Sequence, residues 1–98
     1  MESFAFNYPA TQTVARRAHV GVVGSGDLEV LLEPTATSQT RFAVRTATDG
    51  FQQTWQAVFA RFVAQHAISA TLTINDFGAT PGVVALRLVQ ALEVATTH

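Results

Sequence analysis

The sequence predicts an α+β fold, a mostly antiparallel sheet with two helices packed on one face, in the order β-β-β-β-α-β-α. Three observations predict it. Four stretches in the first half alternate apolar and polar residues with period two, two later stretches carry apolar residues at helical spacing, and a fifth alternating stretch lies between those two. A chain of 98 residues has the size of one domain, taken as residues 1–98.

Taken in order, Phe4, Phe6 and Tyr8 alternate with Ser3, Ala5 and Asn7, giving a strand with an aromatic inner face that Pro9 ends. Ala18, Val20 and Val22 alternate with Arg17, His19 and Gly21 in a second strand. After the turn Gly24-Ser25-Gly26, Leu28, Val30 and Leu32 alternate with Asp27, Glu29, Leu31 and Glu33 until Pro34. Asp27, Glu29 and Glu33 then share one face, read as a solvated or partner-facing edge that discourages strand-to-strand association. Residues 35–40 are poor in apolar side chains and read as a loop. Phe42, Val44 and Thr46 alternate with Arg41, Ala43 and Arg45 in the fourth strand.

The period changes after Asp49-Gly50. Phe51, Trp55, Val58, Phe59, Phe62, Val63 and His66 fall on one helical face, with Gln52, Gln53, Gln56 and Arg61 opposite. Ala70, Leu72 and Ile74 alternate with Thr71, Thr73 and Asn75 in the fifth strand. Asp76-Phe77-Gly78 makes the turn out of it, with Phe77 expected to anchor that turn on the core. Thr80 caps the second helix and Pro81 takes its first position, where a missing N–H costs nothing. Val84, Leu88, Ala91, Leu92 and Ala95 form its buried stripe.

Composition excludes several classes of function. The chain is 48% hydrophobic and only 13% charged, against a usual charged fraction of ~25%. So few charges permit a full core and leave apolar surface for partners. A net charge of -1 supplies no basic field, so nucleic acid is not an expected partner. Without cysteine there is neither a disulfide framework nor a thiolate metal site. The start Met1-Glu2-Ser3 has no signal character and no apolar run reaches the ~18 residues of a membrane span, so a cytoplasmic location without membrane contact is expected.

Candidate chemistry narrows to one turn. Gly24 and Gly26 can take the positive φ of a tight hairpin and leave the Ser25 hydroxyl without bulky neighbours. Glycine and serine also dominate turns for conformational reasons alone. No base adjoins Ser25, so its hydroxyl is not activated as a nucleophile. The glycine spacing G-x-x-G-x-G precedes a strand, whereas a phosphate loop should open a helix. Asp76-Phe77-Gly78 matches a kinase triplet, but its companion motifs are missing. His19, His66 and His98 are dispersed without metal-ligand spacing, and no catalytic residue set emerges.

The stretch Val20-Gly21-Val22-Val23-Gly24-Ser25-Gly26-Asp27-Leu28-Glu29-Val30-Leu31-Leu32-Glu33-Pro34 resembles the delta, or acyl carrier, subunit of malonate decarboxylase. Asp76-Phe77-Gly78-Ala79-Thr80-Pro81-Gly82-Val83-Val84 resembles a second block of that family. Ser25-Gly26-Asp27 is also shared, more loosely, with the gamma subunit of citrate lyase. The resemblance implies that Ser25 carries 2'-(5''-phosphoribosyl)-3'-dephospho-CoA through a phosphodiester bond, with Gly24, Gly26 and Asp27 shaping the attachment turn. It implies a prosthetic-group transferase that installs the arm and a malonyl transferase. It further implies an acyltransferase (alpha) subunit and decarboxylase (beta, gamma) subunits that exchange acetyl for malonyl and release carbon dioxide. The chain itself would be non-catalytic. Ordinary acyl carrier proteins place Asp-Ser-Leu at the start of a helix, so any convergence is of function and not of fold. The alternative is an unmodified structural adaptor, and a small hydrolase using Ser25 would need His19 or His66 as base. Arg41, Arg45 and Arg61 are possible contacts to the arm's phosphates, or simply solvated.

Overall fold

The computed structural model describes residues 2–21 and 26–96. The strands are β1 (Glu2–Pro9), β2 (Gln12–Thr13), β3 (Ala18–Gly21), β4 (Leu28–Pro34), β5 (Gln39–Thr46) and β6 (Ile68–Asp76). The helices are α1 (Gln52–Gln65), between β5 and β6, and α2 (Pro81–Thr96). The sheet runs β1-β5-β6-β4-β3, and β2 pairs with the first residues of β6. The pairs β1–β5, β3–β4 and β4–β6 are antiparallel. The β5–β6 pair is parallel, with Thr40 opposite Ala70 and Thr46 opposite Asp76. Parallel neighbours need a long crossover, and α1 is that crossover. The expected α+β architecture therefore holds, with the two-residue β2 as an additional strand too short to carry a period.

Burial follows the alternation. Leu28, Val30 and Leu32 of β4, Phe42 and Val44 of β5, and Leu72 and Ile74 of β6 are buried on one face. Trp55, Phe59 and Phe62 of α1 and Val84, Leu88, Ala91 and Ala95 of α2 close over that face. Phe42 and Phe59 stack at 4.0 Å between ring centroids, with Phe62 edge-on to Phe42 at 6.2 Å. Burying each such ring contributes about 1.5–3 kcal/mol. The opposite face of the sheet stays open and bears Arg41, Arg45, Glu29 and Glu33.

Several details differ from the sequence reading. The described part of the second strand runs to Gly21, whose φ is +86, and its predicted continuation falls on Val22. Val22 lies outside the described residues. Phe51 occupies the N-cap position of α1 without a side-chain capping bond and is 48% exposed, so the buried stripe begins at Trp55. Leu92 is only half-buried. The fourth strand starts at Gln39, two residues before its first predicted charge, because β1 pairs along its whole length.

The third predicted strand, β4, is not an edge. It is bonded on both sides, to β3 and to β6. Its acids are partnered: Glu29 with His19 and Asn75, Glu33 with Arg17 at 3.8 Å, and Asp27 with Arg87 of α2. Asp27 reaches a helix on the covered side, whereas Glu29 and Glu33 lie on the open face, so the three do not share one face. No described helix is long and apolar enough to cross a membrane.

Candidate functional site

Residues 22–27 connect β3 to β4 at the end of the sheet where β6 finishes. Ser25 and Gly24 lie outside the described residues, so the site is built from what borders them. Gly21 opens the connection. A Cβ on Gly21 would stand 2.0 Å from the Leu28 carbonyl oxygen, and its φ is +86. Only glycine lets the two strands of the hairpin approach this closely.

Gly26 closes the connection, with φ +79 and open space where a side chain would project. Its N–H donates to the Phe77 carbonyl at 2.8 Å, and the Phe77 N–H donates to the Asp27 carbonyl at 2.9 Å. Two residues on one strand thus oppose one on the other, with a left-handed glycine first. This is a glycine β-bulge, and it adds twist at the strand end. Asp27 precedes β4, which starts at Leu28, so the alternation of that strand does not fix the direction of its side chain.

Phe77 was expected to anchor its turn through the core. Its side chain is only half-buried, and its backbone makes the two bonds that bind the turn to residues 26 and 27. Gly78 follows with φ +101, and a Cβ there would lie 3.9 Å from the Gly26 nitrogen. Gly26-Asp27 of the first block and Phe77-Gly78 of the second are therefore one piece of structure.

Asp27 is held firmly. Its Oδ1 accepts the Leu28 N–H at 2.7 Å and Arg87 Nε–H at 3.2 Å, and its Oδ2 accepts Arg87 Nη2–H at 3.0 Å. The Arg87 hydrogen bonds, aided by the Leu28 amide, hold the Asp27 carboxyl below the usual carboxylate range. Arg87 is itself oriented by Gln90, one turn on, with Nη1 donating to Oε1 at 2.9 Å. A carboxylate so engaged is a brace rather than a base.

The second block is equally well braced. Asp76 is buried, with Oδ2 accepting the Thr46 hydroxyl at 2.8 Å and Oδ1 accepting the Ala79 N–H at 2.9 Å. Thr80 caps α2 as expected, accepting the Val83 N–H at 3.3 Å. Asp76 thereby ties β5, β6 and the start of α2 into one rigid support for the turn.

Other candidates stand elsewhere. His19 bonds Glu29 at 2.9 Å, and that contact with the Asn75 amide lowers the Glu29 carboxyl's pKa. His66 ends α1 near the start of β6 and packs on Phe62. A nine-residue strand separates it from the turn, a span of about 25–30 Å. His98 lies outside the described residues. Arg41, Arg45 and Arg61 are exposed, the first two on the open face of the sheet. No group of three metal-ligating side chains occurs among the described residues. Arg87, missed in the sequence reading, is the arginine that reaches the turn.

Fold and site define a small α+β domain that braces one connecting loop, containing Ser25, against a second glycine turn. Residues 15–95 match the family model described as the malonate decarboxylase delta subunit (MdcD), an acyl carrier protein family. The malonate decarboxylase acyl carrier protein of Pseudomonas aeruginosa is 53% identical over 96 residues, covering 97% of each chain. That of Azotobacter vinelandii is 49% identical over 94 residues, covering 95% of each. A chain in the crystal structure of a Pseudomonas malonate decarboxylase hetero-tetramer in complex with malonate superposes with a TM-score of 0.91 at 48% identity. That match covers 97% of this chain and 99% of the other. The chain belongs to the malonate decarboxylase delta-subunit family of acyl carrier proteins.

Proposed function

We propose that residues 1–98 act as one non-catalytic acyl-carrier domain of a malonate decarboxylase, with Ser25 as the attachment point of a phosphoribosyl-dephospho-CoA arm. The observation that carries this reading is the bracing of the serine's neighbours. Gly26 and Asp27 are locked to Phe77 and Arg87, while the space beside Gly26 is open. A modifying enzyme can close on a backbone that is fixed and uncrowded. The described residues offer no base to the turn, since Asp27 is committed to Arg87 and the histidines stand elsewhere. Activation of the hydroxyl therefore falls to the transferase that installs the group.

When bound, that group supplies a terminal thiol on which acyl units are held as thioesters. The chain's own part is to hold Gly26 and Asp27, next to the root of the arm, in place and to raise the local concentration of the arm's far end at successive partner sites. Exposed Leu86, Val89 and Val94 on α2 provide apolar surface for the other decarboxylase subunits. Those partners comprise the acyltransferase and decarboxylase subunits, with the prosthetic-group and malonyl transferases as transient visitors.

Intact-mass measurement after co-expression with the transferase tests the reading. One adduct of the arm's mass is expected on the natural chain and none on Ser25→Ala. An adduct that persists in Ser25→Ala moves the attachment elsewhere, and full decarboxylase turnover with unmodified Ser25→Ala establishes the structural adaptor instead.

A further inference from the structure

A cleft of about 250 Å³ opens beside the attachment turn, between the first turns of α1 and α2. Gly78, whose Cβ position touches Gly26, forms part of its wall. Trp55, Val58, Pro81 and Val84 give it an apolar lining, and Thr48 stands at its rim. Drug-sized ligands occupy pockets of ~300–1,000 Å³, so this cleft suits a smaller group. Gly78 thus stands beside Gly26, the residue that follows Ser25 in the chain.

Charge narrows the occupant further. The described residues that line the cleft include no cation, and their one formal charge is the Asp76 carboxylate. A second carboxylate entering this lining would meet a like charge and exchange its water for a few threonine hydroxyls, Thr48, Thr54 and Thr80, in an otherwise apolar wall. The uncapped first turn of α1 offers about half a positive charge spread over exposed residues, and the first turn of α2 is already met by Thr80 Oγ1, which accepts the Val83 N–H, beside Asp76 Oδ1, which accepts the Ala79 N–H. A neutral acyl group faces neither penalty.

We propose that this cleft shelters the acetyl-thioester end of the arm and rejects the malonyl-thioester end. The inference rests on Ser25 carrying the arm. The resting acetyl form is then shielded from water, and exchange to malonyl by itself releases the arm toward the partner subunits. Tethering makes a weak site sufficient, because a short flexible linker supplies an effective concentration of order mM.

The test uses the full chain with the arm's thiol free, acetylated or malonylated, each state verified by intact mass. Trp55 is the sole tryptophan, so its emission reports the cleft directly. Acetylation should shift that emission to the blue, and malonylation should leave it at the free-thiol position. Hydroxylamine should cleave the acetyl-arm about tenfold more slowly than S-acetylpantetheine, as for a group exposed about one-tenth of the time. The malonyl-arm should react like S-malonylpantetheine. Thr54→Phe, which fills the cleft from α1, should abolish both acetyl effects. Thr48→Lys, which adds a cation at the rim, should bring malonyl under protection. Equal emission and unprotected cleavage for the acetyl-arm, or indifference to both variants, overturns the cleft while leaving Ser25 attachment intact. Absence of any adduct overturns both.

Discussion

The two ends of the central sheet are built by opposite means. Where β6 begins, hydroxyls close the structure: Ser69 Oγ accepts the Ser38 N–H at 3.2 Å and donates to the Thr35 carbonyl at 2.8 Å. The Thr40 hydroxyl donates to the Ile68 carbonyl, and the Ala10 N–H donates to the Ser38 carbonyl at 2.9 Å. Ser38 takes φ 57, a left-handed conformation held by these contacts. Where β6 ends, Gly21, Gly26, Gly50 and Gly78 all have positive φ. One end spends side chains on sealing itself, and the other uses residues without side chains to let backbones approach. The described residues that border the connection with Ser25, Gly21 and Gly26, belong to this second end.

The contrast can be broken at either end. The largest effect is expected from Gly21→Ala, which sets a Cβ against the Leu28 carbonyl in a backbone region hostile to side chains. A loss of about 3 kcal/mol should appear in urea unfolding. At the sealed end, Ser69→Ala leaves the part-buried Thr35 carbonyl and Ser38 N–H without their side-chain partner, costing about 1 kcal/mol by the same measurement. Gly26→Ala should cost only about 1 kcal/mol, because its side-chain direction is open and only backbone strain opposes it. Its clearer signature should be slower adduct formation by the transferase, read by a mass time course. Equal stability of Gly21→Ala and Gly26→Ala would contradict the distinction between an obstructed and an open glycine.

The smallest effect concerns acid stability. Arg87 lowers the folded-state pKa of Asp27, so the pair's stabilisation is present above the unfolded carboxylate pKa and lost as pH falls through the folded one. Stability should therefore rise with pH between about 2 and 5, and Arg87→Met should flatten that rise. Glu29, lowered by His19 and Asn75, leaves a residual slope in the variant. An unchanged slope in chemical denaturation across this range would remove Arg87 as the brace of the turn.

Much of this arrangement was legible beforehand because period two and period 3.6 are local properties. The strands of Leu28, Phe42 and Leu72 and the helix of Trp55, Phe59 and Phe62 follow from spacing alone. The cap at Thr80 follows from a hydroxyl preceding proline. Phe51 misled because its spacing fits the stripe while its position, before the first helical turn, faces outward. Asp27 misled because it precedes the first residue of β4, where the period of two no longer fixes direction and Arg87 captures the side chain. The one visible hint of Arg87 was its isolation: α2 carries a lone arginine amid apolar residues, with Gln90 one turn away to orient it.

The sequence by itself determined the fold class, the buried faces and, through two short blocks, the expected family. Those depend on near neighbours and on side-chain chemistry. Only the tertiary structure decided that the two blocks touch, that Asp27 belongs to Arg87 sixty positions away, and that β4 lies inside the sheet. It also decided that an apolar cleft adjoins the turn. Each depends on the insertion of β6 between β4 and β5, a long-range pairing that no local periodicity encodes.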